Sequence, residues 1–80
     1  MTQLYKKYID VIVRFDKYGT IVPLSIIFDS HQFPIDRILE IKQSNSRVGG
    51  NGVLYKCKIQ HQIRHLYLER NRWFIESTKP

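Results

Sequence analysis

The chain has 80 residues, is 42% apolar, 12% aromatic and 25% charged, and reads as one small domain over residues 1–80. That balance excludes a disordered or collagen-like chain, and no run approaches the roughly 20 apolar residues that span a bilayer. The net charge of +6 lies wholly in the second half: residues 1–40 carry five Lys/Arg against five Asp/Glu, residues 41–80 eight against two. Such asymmetry suits a surface facing a polyanion, or one that keeps the protein soluble.

The first segment, Tyr8 to Phe15, alternates, with Ile9, Val11, Val13 and Phe15 on one side and Asp10, Ile12 and Arg14 on the other. A period of two predicts a strand. Asp16-Lys17-Tyr18-Gly19 predicts a hairpin loop in which the glycine supplies a positive φ. Thr20 to Phe28 is rich in β-branched residues, and Pro23 within it requires an edge position or a bulge. A second turn follows at Asp29-Ser30-His31-Gln32.

Residues 34–43 support two readings. Ile35, Ile38 and Leu39 stand at helical spacing behind Pro34, which would give an α+β domain with one helix. Leu39 and Ile41 alternate with charges, which favours two short strand pieces with a kink. Ser44 to Gly52, with three of the four glycines, reads as a loop; it lacks the Lys-Ser/Thr of a phosphate-binding P-loop.

The last thirty residues read as a three-strand meander of Val53–Ile59, Ile63–Glu69 and Trp73–Glu76. Turns at His61-Gln62 and Arg70-Asn71 would set Cys57 opposite Leu66, Tyr55 opposite Leu68 and Tyr67 opposite Phe74. Directly opposed residues share a face. One face then holds Tyr55, Cys57, Leu66, Leu68, Trp73 and Ile75; the other holds Lys56, Lys58, His65, Tyr67 and Phe74.

The expected fold is mainly β: a small antiparallel meander or SH3-like open barrel of five to six strands. Its core would hold Ile9, Val11, Val13, Leu24, Ile26, Leu39, Ile41, Tyr55, Cys57, Leu66, Leu68, Trp73 and Ile75.

The basic-aromatic face is the leading functional candidate. Aromatic rings on a basic sheet can stack bases while cations follow phosphates. Lys56, Lys58 and Arg64 would contact phosphate, His65 would lie among them, Tyr67 and Phe74 would stack, and the loop around Arg47 would act as a clamp. The expectation is a non-catalytic module for nucleic acid. The alternative is a protein-interaction or self-associating adaptor, with the same rings buried at an interface with a second subunit or a partner; cover by the first half of the chain would instead make them part of the fold.

Other chemistry is not expected. Cys57, His61 and His65 are spaced four apart, but across a hairpin they point inward, to the turn and outward, so no metal site is expected. Cys57 reads as a small buried apolar residue rather than a nucleophile, and the carboxylates fall at turns and strand ends. No enzyme activity, cofactor or membrane attachment is therefore expected. A single cysteine and a polar Met1–Lys7 segment suit a reducing cytoplasm.

Phe15-Asp16-Lys17-Tyr18-Gly19, Pro23-Leu24-Ser25-Ile26, Ile35-Asp36-Arg37-Ile38-Leu39, Gly52-Val53-Leu54-Tyr55-Lys56-Cys57 and Trp73-Phe74-Ile75-Glu76 together resemble a group of small uncharacterised bacterial proteins. More distantly, the chain is similar to a β-rich tail module of some error-prone DNA polymerases. The resemblance spans about residues 8–76 and implies a compact β domain inclined toward DNA transactions; it assigns no site residue.

Overall fold

The structure, a computed structural model, describes residues 3–45 and 51–78. Seven antiparallel strands form one sheet: β1 Tyr5–Phe15, β2 Ile21–Phe28, β3 His31–Pro34, β4 Arg37–Asn45, β5 Asn51–Ile59, β6 Gln62–Glu69 and β7 Arg72–Ser77. The described residues contain no helix, and hence none long and apolar enough to cross a membrane. Sequence-adjacent strands pair except β3 and β4, and β1 joins β7, giving the order β3-β2-β1-β7-β6-β5-β4. The long β1 is shared: Tyr5–Ile9 pairs with β7, and Asp10–Phe15 pairs with β2.

The two edge strands, β3 and β4, are consecutive in the chain. In a flat sheet six inter-strand steps would hold them about 29 Å apart. The three residue steps from Pro34 to Arg37 reach at most about 11 Å. The sheet must therefore curl, and it forms a half-barrel. Backbone hydrogen bonds pin the junction: the Ile35 N–H donates to the Leu24 carbonyl (2.9 Å), and the Asp36 N–H to the Lys58 carbonyl (2.8 Å). Those bonds draw the kinked segment onto β2 on one side and β5 on the other. They also explain why residues 34–43 form strands and not the helix of the α+β alternative: Ile38 then packs against the core. The strand count is seven rather than five or six, because both kinked pieces, β3 and β4, pair into the sheet as strands of their own.

The concave face carries the main core: Tyr55, Cys57, Ile59, Leu66, Leu68 and Trp73, with Ile9, Val11, Val13, Ile26, Ile38 and Ile75 packed against it. The Tyr55 hydroxyl crosses the interior to donate to the Ile21 carbonyl at 2.9 Å, tying β5 to β2. Three residues expected in the core are exposed. Leu24 (43%) is the extra residue of a bulge between Ile12 and Val13 of β1, beside a fully buried Pro23. Leu39 (41%) is the extra residue of a bulge in β4, and Ile41 (50%) lies on the open edge. A bulge leaves its extra residue out of the pairing, and this changes where its side chain points.

The hairpin turns follow the strand twist. The β1–β2 loop has Gly19 at φ 82°, and the Asp16 carboxylate accepts from the N–H groups of Tyr18 and Thr20. Asp29 and Ser30 both have positive φ, as do Gln60 and His61, the shape of a type I′ turn. The β5–β6 turn thus sits at Gln60–His61, one residue earlier than expected, and Cys57 faces Arg64. The partner of each residue moves by two, which preserves every face. Leu54 then lies opposite Tyr67, where the expected register would have set Lys56. Burying Leu54 against Tyr67 favours the observed ladder.

Of the expected Ser44–Gly52 loop, residues 44–45 and 51–52 lie in β4 and β5, and residues 46–50 lie outside the described part. At Gly52 a Cβ would stand 2.8 Å from the Leu68 carbonyl oxygen, a rigid backbone atom. Gly52→Ala should lower stability by about 1–3 kcal/mol, read as a fall in the urea midpoint at unchanged m-value.

Candidate nucleic-acid interface

The convex face is built by the strand period. On β5, Leu54, Lys56 and Lys58 point outward; on β6, Ile63, His65 and Tyr67; on β7, Arg72, Phe74 and Glu76. β1 adds Lys6 and Tyr8, and β4 adds Arg37, Glu40 and Lys42. Arg37 stands directly opposite Lys58, and Lys56 lies between Glu40 and His65. Arg37, Lys58 and His65 are exposed, and Lys56 is half-buried.

Tyr67 and Phe74 share this face but form a second small core with Leu54, exposed by only 6% and 1%. Their rings stack with centroids 5.1 Å apart and planes 9° from parallel. Tyr8 meets Phe74 edge-on at 6.0 Å, and the Lys6 ammonium sits 4.9 Å over the Phe74 ring. Lys6 is held there by Glu69 at 3.1 Å, and the Tyr67 hydroxyl donates to Glu76 at 3.1 Å. These rings stiffen the sheet from within the outer face; they offer little surface for a base.

Arg64 is not gathered with the other cations. Its register partner is Cys57, so it projects from the concave side, where its guanidinium donates to the Gln62 side-chain oxygen. Arg47 lies outside the described residues. Arg37 and Tyr8 are two of the convex-face residues that the sequence reading did not anticipate. Arg37 reaches it through the β4–β5 pairing. Tyr8, 43% exposed, reaches it through the β1–β7 pairing and carries the Arg72 guanidinium 3.6 Å above its ring. Both placements depend on pairings with distant strands, which local alternation does not encode.

On the concave side β6 and β7 pair only from Tyr67–Phe74 to the turn, and then diverge. An open pocket of about 420 Å³ lies there, lined by Ile26, Phe28, Phe33, Ile59, Leu66 and Ile75. Lys7 lies 4.7 Å over the Phe28 ring at the same side. Among the described residues no three His, Cys, Asp or Glu side chains come together as a metal site would need. Cys57 faces inward, His61 sits in the turn and His65 faces outward.

Comparison with known proteins gives no match, whether to family models, to curated proteins or to solved structures.

Cys57 is fully buried, and its thiol lies 3.7 Å from the Tyr55 carbonyl. Burial pushes the thiol pKa up from 9.0 to about 11. The Tyr55 hydroxyl is raised as well, first by burial and then by neighbouring Cys57. An acid whose pKa is raised by folding keeps its proton longer in the native state, so the unfolded chain ionises first. The stability tied to the neutral thiol is complete below pH 9 and lost as pH rises to about 11. The urea midpoint should therefore fall across that window. In Cys57→Ala the fall should be shallower, and an unchanged slope would show that the thiol does not titrate in this way.

Proposed function

We propose that the chain is a non-catalytic binding module that meets nucleic acid through the convex face of β4, β5 and β6. Arg37, Lys58 and Lys56 contact phosphates, and His65 flanks them. The observation that carries this reading is the direct opposition of Arg37 and Lys58, both exposed. Like charges directly opposed across a ladder destabilise a sheet. The ion pairs among the described residues, Lys6–Glu69 and Lys42–Glu40, use neither of them. A polyanion laid across the strands relieves that repulsion and releases its own counterions.

Tyr8 and Arg72, further along the same face, supply the exposed aromatic and guanidinium surface that the buried Tyr67 and Phe74 do not. The buried free thiol of Cys57 suits a reducing compartment, and the reading places the protein in the cytoplasm.

Fluorescence anisotropy with labelled single-stranded DNA, duplex DNA and RNA tests the reading across a salt series. Each lost phosphate contact should reduce the slope of log K against log salt by about one. Lys56→Ala with Lys58→Ala should lower it by about two and weaken binding more than tenfold at physiological salt, with the fold intact by circular dichroism. Unchanged binding in the double variant would remove this face from the interface.

A further inference from the structure

The sheet leaves two strand edges open, and they are unequally protected. β3 is four residues long and ends in Pro34. A short edge ending in proline resists pairing. β4 has nine residues and no proline, pairs among the described residues only with β5, and exposes Leu39 and Ile41 by 41% and 50%. Such an edge is a template for another strand.

We propose that a second copy of this chain docks on β4, antiparallel, with Ile41 on the two-fold axis. Charge selects the register. Glu40 and Lys42 point to the convex side, two residues apart, with their charged atoms 3.8 Å from each other. When two copies pair with like faces together, centring on Glu40 sets that carboxylate opposite itself. Centring on Lys42 opposes two ammonium groups. Centring on Ile41 sets Glu40 opposite Lys42 of the second copy, twice, and closes an alternating ring of four charges. Directly opposed unlike charges stabilise a pair of strands, and like charges destabilise it. Ile41 then meets Ile41 on the concave side, and Leu39 lies opposite Gln43. The contact is isologous, so it closes at two copies and does not propagate.

The two-fold axis runs normal to the sheet, so both convex faces lie on one side and their Arg37–Lys58 pairs flank the seam. The association itself does not depend on the nucleic-acid reading. One strand edge buries less than the roughly 1,600 Å² of a standard interface, so the dimer should dissociate in the micromolar range.

Sedimentation equilibrium from about 1 to 500 μM, at physiological salt and without nucleic acid, tests the proposal at concentrations bracketing the range expected for so small an interface. The wild type should fit a monomer–dimer equilibrium. Glu40→Lys and Lys42→Glu should each raise the dissociation constant at least tenfold, and the doubly reversed Glu40→Lys/Lys42→Glu chain should recover it. Ile41→Cys, in a Cys57→Ser background, should form a disulfide-linked dimer under mild oxidation even if one reversal perturbs folding. A wild type that stays monomeric throughout overturns the proposal. So does a dimer indifferent to the single reversals, or failure of the double reversal to restore it. A normal dimer with no affinity for nucleic acid would overturn the functional reading alone.

Discussion

The short junction Ile35–Asp36 governs the architecture. It ties the two outermost strands of a seven-stranded sheet within a few residues of each other, and only a curled sheet satisfies that connection. Curling creates a concave side where Tyr55, Cys57, Leu66, Leu68 and Trp73 converge into one core, which so short a chain could not build on a flat sheet with two wet faces. The Tyr55 hydroxyl bond to the Ile21 carbonyl fixes the curl from inside. The shared strand β1 carries it from one half of the sheet to the other.

The convex side depends on that arrangement. Because the strand period is two, every residue adjacent to a core residue points outward. The outward set on β5 and β6 is cationic where it meets β4, and aromatic where it meets β7 and β1. The aromatic part is internally satisfied: Tyr67 and Phe74 stack, and Lys6, Tyr8, Glu69 and Glu76 close over them. The cationic part is not neutralised in the same way, and this asymmetry places the proposed ligand contacts toward β4. The strand that presents Arg37 also carries the open edge, so one element serves both the proposed ligand face and the proposed self-association.

Much of the candidate site was legible before the fold was known. Alternation in Val53–Glu76 sorted Lys56, Lys58, His65, Tyr67 and Phe74 onto one face. A turn displaced by one residue left that sorting untouched, since it moves the pairing by two. Arg64 was read as a contact by charge alone, although its parity sets it beside Cys57 on the concave side. The sequence left the cover of Tyr67 and Phe74 open among the first half of the chain, a second subunit and a partner. That cover comes from Tyr8 and Lys6 on β1, a strand more than fifty residues away in the chain.

The sequence left residues 34–43 open between a helix and kinked strands, and by itself determined a mainly β chain, the Asp16–Gly19 loop and the partition of β5, β6 and β7 into two faces. Each of these is set by local chemistry: side-chain period, proline and glycine geometry, and charge beside an apolar run. Only the tertiary structure decided that β1 pairs with β7, that Leu24 and Leu39 leave the core at bulges, and that the aromatic pair is covered while Arg37 and Lys58 stand opposed in solvent. Those outcomes depend on which distant strand lies alongside and in which register. That is settled by the total burial the closed sheet achieves, a quantity no local window contains.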